Sequence, residues 1–275
     1  MTQPPLRERF AAAAREERPD LAELCLLIGA EADAALDGAA RDLAEIELDR
    51  LAGLLPFGLA APLDWAKALH QVLGVAHGFQ GSPADYQKLS SSLLQEVLRR
   101  RRGLPILLSV VWIEVARRAG APVYGVALPG HFVVGLGDPD GEHVLVDPFR
   151  GGRLLPEQDA ERLAAGMIGR PTAAGLMTPA DPLDIVQRIL NNIRAWAAPQ
   201  LQHRPAHLWA LDLTLLLPRH PAKLRLERAH LLVKLGDFLG GAAEMEEYAE
   251  VIGAFDPETA AGIRTQARSA RALLN

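Results

Sequence analysis

Apolar residues recur at the three- and four-residue spacing of a helix along most of the chain, with one interruption near its middle. From residue 6 to about 55 the sequence is rich in Ala, Leu, Glu and Arg with this period. It breaks at Pro19 and at Asp37-Gly38, which predicts two or three helices. A further helix follows Pro62 in "FGLAAPLDWAKALHQVLGVAHGF"; "QGSPADYQ" reads as a loop and "KLSSSLLQEVLRRR" as a helix. The segment "GLPILLSVVWIEVARRAGA" is entered through Pro105 and stopped by Gly120, and is apolar at nearly every position but Glu114, Arg117 and Arg118. A helix apolar on all sides is one that its neighbours bury.

Beyond Gly120 the period falls to two. "PVYGVAL", "HFVVGLG" and "EHVLVDP" predict three strands with hairpin-length connections, a small antiparallel sheet packed on the buried helix. Helical periodicity returns at "LLPEQDAERLAAG", and the Pro-, Gly- and Thr-punctuated "GRPTAAGLMTPADP" predicts a linker. From Leu183 to Asn275 the pattern is helical throughout. There "LDLTLLLPRHP" and "YAEVIGAFDP" both run from apolar residues into proline, and "RLERAHLLVKLGDFLGGAAEMEEY" places Ala229 one helix-width before "LGDF", as a tetratricopeptide-like helix pair would. Too few units can be drawn to stand alone, so they are expected to pack on the rest of the chain.

Composition narrows the class. Apolar residues make up 49% and charged residues 23%, as in a soluble globular protein. A net charge of -5 argues against a nucleic-acid partner, which needs a net basic face. The short run Arg99 to Arg102 reads first as a helix C-terminus complementing the dipole, with Gly103 as its cap, and second as an anion-binding cluster. No apolar run reaches the ~18 residues of a membrane span, and "MTQPPLRERF" lacks the apolar core of a signal peptide, so a cytoplasmic protein without membrane contact is expected. The single cysteine, Cys25, excludes an internal disulfide, and its setting in "LAELCLLIGAE" predicts a buried core thiol. Among the histidines only His203 and His207 have i, i+4 spacing, and Pro205 lies between them; neither a metal site nor a cofactor is expected. The sequence sets no oligomeric state.

The stretch "LPGHFVVGLGDPDGEHVLVDPFRGG", Leu128 to Gly152, carries the candidate chemistry. With a turn at Asp138-Pro139-Asp140-Gly141, Gly137 pairs with Glu142, and stepping back brings His131 opposite Pro148 and next to Asp147. A histidine and a carboxylate then meet across the sheet.

Together with "VLRRRRGLPI", the motifs "PGHF" and "VDPFRGG" resemble those of the SirB-type transglutaminase-like proteins. The resemblance runs over most of the chain. It implies an N-terminal helical segment over residues 1–55, a papain- or transglutaminase-like α+β core over 56–175, and a tetratricopeptide-like helical segment over 183–275. It also implies a triad in which a cysteine on the central helix attacks an amide, a histidine moves the proton, and an aspartate fixes the histidine tautomer. His131 and Asp147 fall in that order. The cysteine is expected roughly four turns before Gly120-Ala121-Pro122, and counting back at about 3.6 residues per turn reaches Pro105 or Ile106, neither of which is a nucleophile. Ser109, one turn further in, is the fallback hydroxyl. A serine at such a position more commonly hydrogen-bonds the carbonyl four residues back.

The resulting expectation is a non-catalytic transglutaminase-like protein that binds a peptide or protein partner. His131, Asp147 and Ser109 would be remnants of a triad, and Arg101, Arg102, Gly130 and Phe132 the binding residues. The alternative is a hydrolase in which the His131-Asp147 pair activates water, or Ser109, for amide or ester cleavage. Its oxyanion would rest on the arginines or on the helix start at Pro105.

Overall fold

The computed structural model describes residues 5–156, 158–160, 162–163 and 178–274. The expected linker over residues 169–182 lies outside these as far as residue 177. The chain forms two compact units, residues 1–192 and 193–275.

The first unit opens with α1 (Leu6–Ala13), α2 (Leu21–Ala32) and α3 (Gly38–Ala52). The breaks read at Pro19 and Asp37 are helix starts: Asp20 accepts from the Glu23 amide and Asp37 from the Ala40 amide, both at 2.9 Å. Caps of this kind stabilise a helix by about 1 kcal/mol each. Next come α4 (Pro62–Leu69), continued by a wider π-helical stretch His70–Ala76, then α5 (Leu94–Arg100) and α6 (Pro105–Arg118). Residues 89–92, expected to be α-helical, form a 3-10 turn instead. Ser91 turns its hydroxyl to Asp85, and such local side-chain bonds compete with the helix.

Every residue of α6 from Pro105 to Ala116 is buried, as its apolar pattern requires. Helices α2, α3 and α5 pack against it, and so do strands β1 (Val123–Leu128) and β2 (His131–Gly137). Burying each Leu, Val or Ile stabilises by roughly 1.5–3 kcal/mol, so this helix anchors the unit. Its buried Glu114 is not left unpaired: Arg117 and Arg118 both reach it, and Arg118 also binds Glu45 and Asp49 on α3. Cys25 is buried in α2, and burial pushes its thiol well above the ordinary value, with Glu114, Asp20 and Glu45 adding to the rise.

The sheet is antiparallel in the order β1-β2-β3-β4, with β3 at His143–Asp147 and β4 at Arg153–Leu155. The fold is therefore mostly helical, with a small antiparallel sheet. Three strands were expected; β4, only three residues long, is too short to display an alternation. Pro179 and Ala180 also lie along β1, where the Ala180 amide donates to the Gly125 carbonyl at 2.8 Å.

The β2–β3 register differs by one residue from the sequence expectation. Gly137 faces His143 and Val134 faces Val146, because Asp138 rather than Gly137 bonds Glu142, at 3.0 Å. The extra loop residue is accommodated at Gly137, whose φ is +107° and where any Cβ would run into the Glu142 carbonyl. A one-residue slip exchanges the two faces of a strand. In the observed register Val133 stands opposite Asp147, so His131 falls on the same face as Asp147.

The second helical unit follows α7 (Pro182–Ala197), within which the division between units falls. Helices α8 (Arg204–Leu216), α9 (Lys223–Lys234), α10 (Phe238–Gly253) and α11 (Pro257–Ala272) each pack on the next. The core shared by α9, α10 and α11 is lined with alanines, including Ala229, Ala242, Ala249, Ala260 and Ala267, so these helices approach closely. His203 and His207 do not converge: the first stacks on Trp196 at 3.9 Å and the second bonds Glu227 at 2.9 Å. Among the described residues no three His, Cys, Asp or Glu are grouped to hold a metal ion, and no helix is long and apolar enough to cross a membrane.

Candidate functional site

His131 opens β2 and Asp147 closes β3, with Nε2 of the histidine 3.0 Å from Oδ1 of the aspartate. A carboxylate only accepts, so Nε2 donates to it. No described residue bonds Nδ1, and the His131 side chain is 17% exposed against 4% for Asp147. Asp147 has a second task. The same Oδ1 accepts the Phe149 amide at 3.0 Å, capping the 3-10 turn Pro148–Arg150. The exposed Arg150 places Nε 3.6 Å from Oδ2.

The capped turn aims Phe149 at the histidine. Its ring stands edge-on to His131, centroids 6.2 Å apart, and edge-on to Tyr86, again at 6.2 Å. Two outside contacts hold the turn. The Gly81 amide donates to the Phe149 carbonyl at 2.9 Å, and Nδ1 of His70 donates to the Gly151 carbonyl at 2.7 Å. From the other side Arg188, on α7, donates to the carbonyls of Leu128 and His131, each at 2.8 Å. The site is thus a strip of Tyr86, Phe149 and His131, with Asp147 behind the histidine and Arg188 against its backbone.

The start of α6 supplies no nucleophile. Pro105 and Ile106 are buried apolar residues at the first two helical positions. Ser109 is fully buried, and its hydroxyl donates to the Phe132 carbonyl at 3.3 Å. The expected bond to the carbonyl four residues back is replaced by one that ties α6 to β2. The structure does not bring the Ser109 hydroxyl into a bond with His131.

The remaining expected binding residues are dispersed. Phe132 is buried, and its ring packs on Gly125 beside Ile113. Gly130 is exposed in the Pro129-Gly130 turn between β1 and β2, where its φ of +68° meets the need of a type II turn. Arg101 binds Glu47 at 2.5 Å and lies over the Phe79 ring at 4.6 Å. Arg102 and Arg100 both turn to the buried Asp85, at 3.4 and 3.6 Å. The arginine run is therefore engaged by carboxylates of the chain itself. Its helix is capped by Arg101 at φ +58° rather than by Gly103.

Sequence reading missed Tyr86, Phe149 and Arg188. For Arg188 a signal existed: it interrupts the apolar stripe Ile185, Val186, Ile189, Leu190 with a charge beside the buried face.

A family model described as transglutaminase-like superfamily matches residues 30–191, more than half of the chain, and the chain belongs to that superfamily. A UPF0162 protein of Xylella fastidiosa (strain Temecula1) is 34% identical over 195 residues, covering 69% of this chain and 68% of that one. UPF0162 protein YchA of Escherichia coli K12 is 26% identical over 185 residues, covering 65% and 68%. Human F-box only protein 21 is 27% identical over 178 residues, which span 62% of this chain and 28% of that protein. A crystal structure of menin aligns with 95% of this chain and 69% of that one at 14% identity and a TM-score of 0.43, a likeness too distant to bear on the fold.

Proposed function

We propose that this transglutaminase-like domain is non-catalytic and that its His131 face binds a peptide or protein partner. The observation that carries the reading is the first turn of α6, where Pro105 and Ile106 stand in place of a nucleophile and the Ser109 hydroxyl is engaged by Phe132. Nucleophilic catalysis has no substitute for an absent nucleophile, and proline also removes a backbone N–H that an oxyanion site would use. In this reading the SirB-type resemblance holds over most of the chain, and residues 183–275 act as a tetratricopeptide-like surface in the cytoplasm. Support comes from the stacking of successive helix pairs over an alanine-lined core.

One observation favours a second reading, a hydrolase. The His131 side chain is partly exposed and its Nδ1 is unpartnered among the described residues, with Asp147 behind the ring. It would take a proton from water as the oxygen attacks an amide or ester carbonyl carbon, then return it to the leaving group as that bond breaks.

The deciding test is an amide-hydrolysis, ester-hydrolysis and amine-transfer screen on the wild type, Ser109→Ala and His131→Ala. The expected result is no turnover in any of them, together with a partner retained by the immobilised wild type and lost by His131→Ala. Turnover abolished only in His131→Ala would replace the binding reading with activated water. Turnover lost in both variants would establish a serine enzyme.

A further inference from the structure

The turn that carries Phe149 ends in two consecutive glycines, Gly151 and Gly152, with φ of +72° and +77°. Glycine enters this region without strain and leaves it as readily, so the residues at the far end of the turn do not by themselves hold it in place. Within the turn the Gly151 amide donates to the Pro148 carbonyl at 3.0 Å, and the Gly152 amide to the Asp147 carbonyl at 2.8 Å. The Gly151 carbonyl takes its bond from outside the turn, from Nδ1 of His70 at 2.7 Å.

His70 comes from a stretch shaped for this contact. It opens the π-helical segment His70–Ala76, and a Cβ on Gly74, four residues on, would overlap the Gly151 carbonyl oxygen and stand 3.1 Å from Nδ1 of His70. One widened turn of helix thus offers a donor and a bare backbone to the same carbonyl. The loop beyond it does the same at Phe149: a Cβ on Gly81 would overlap the phenyl ring, and the Gly81 amide donates to the Phe149 carbonyl at 2.9 Å. On a third side, a Cβ on Gly152 would stand 2.7 Å from Nε1 of Trp112 on α6. The turn is therefore seated closely on its surroundings, and His70 supplies the bond at its glycine end.

We propose that His70 is a positioning residue for the His131 face: through the Gly151 carbonyl it fixes the glycine end of the turn, and with it the place of the Phe149 ring beside His131. A carbonyl only accepts, and Nδ1 carries a proton in one neutral tautomer and in the protonated imidazole, so the clamp works in both charge states of His70. The inference rests on the reading of the His131 face as the working face, and it is the same for a bound partner and for activated water. An architectural His70, which stabilises the turn without setting the ring, is the competing account.

The test is NMR spectroscopy of the full chain at fixed pH, on the wild type, His70→Asn and His70→Leu. It reads the nuclear Overhauser contact between the Phe149 and His131 rings, whose centroids lie 6.2 Å apart, and the ring-proton shifts of both. The side-chain amide nitrogen of asparagine stands in for Nδ1, so His70→Asn should keep the contact and the shifts. His70→Leu should lose the contact and displace both sets of shifts while the chain stays folded. A lowered thermal midpoint in His70→Leu with contact and shifts intact would overturn the proposal in favour of the architectural account. Loss of the contact in His70→Asn as well would also overturn it. If His70→Leu loses the fold, His70→Ala is read in its place, and loss of the fold in both would show that His70 builds the unit rather than aims the ring. The rings are read with nothing bound, so the partner screen can fail with this result standing, and this proposal can fail with the partner retained.

Discussion

His131 and Asp147 are bonded at 3.0 Å although they are not directly opposite one another: Val134 faces Val146, so the aspartate stands across from Val133 and the histidine is its diagonal neighbour. A diagonal pair on one face is within reach of long side chains, and here the imidazole spans the gap. Because the same aspartate oxygen caps the turn that carries Phe149, one carboxylate orients the rings of His131 and Phe149 together.

Removing the ring should therefore cost stability as well as binding. In His131→Ala the buried Asp147 keeps the Phe149 amide but loses its imidazole donor, a loss expected at about 1–3 kcal/mol. Urea denaturation of the variant against the wild type measures it. An unchanged midpoint would mean that the pair adds nothing to folding.

Asp85 should prove the more important carboxylate for the fold. It is buried, accepts from the Ser82 amide and hydroxyl at 2.8 Å each and from Ser91 at 3.4 Å, and faces Arg100 and Arg102. Breaking a buried charge network from one side costs about 3 kcal/mol or more. Asp85→Ala should lower the thermal midpoint further than His131→Ala does, and a smaller shift would show that the arginines reach water instead.

These residues mark what the sequence could and could not disclose. The order buried helix, His131, Asp147 was legible because strand alternation and turn residues act over a few positions. The register was missed by one residue, since a loop with one additional residue cannot be told from a tighter turn by its Asp-Pro-Asp-Gly signature alone. The arginine run was legible as a helix end, but its partners Glu47 and Asp85 lie outside the run and come to it only through tertiary packing. Tyr86 was silent for the same reason, and the charge of Arg188, though it interrupts an apolar stripe, did not disclose its target: both residues are distant in sequence and meet His131 through Phe149 and a backbone carbonyl.

Acid should destabilise the first unit through Glu47. Hydrogen bonds from Arg50 and Arg101 hold this carboxyl down to about 2, against partial burial that acts to raise it. A depressed folded-state pKa gives stability that is present above the unfolded value of 4.5 and lost as pH falls from there towards 2. The contribution should be about 1 kcal/mol, since the pair with Arg50 is partly open to solvent. Glu47→Gln should lower the denaturation midpoint at pH 7 and flatten its decline between pH 4.5 and 2. An equally steep decline in the variant would assign the acid sensitivity to other carboxylates.

The thiol should be inert. Cys25 is buried among Leu24, Leu26, Leu27 and Ile28, and both burial and the carboxylates Glu114, Asp20 and Glu45 oppose its ionisation. Only the thiolate is a nucleophile, so alkylation of the native protein should be far slower than that of the denatured chain. Cys25→Ala should cost about 1 kcal/mol through lost packing and leave partner binding as it was. Cys25→Ser should cost more, because a hydroxyl gives up more hydration than a thiol on entering that buried setting. Iodoacetamide labelling at neutral pH, read by mass spectrometry on native and denatured samples, settles the matter. Rapid native labelling that disappears in His131→Ala would connect the thiol to the histidine and return cysteine chemistry to this site.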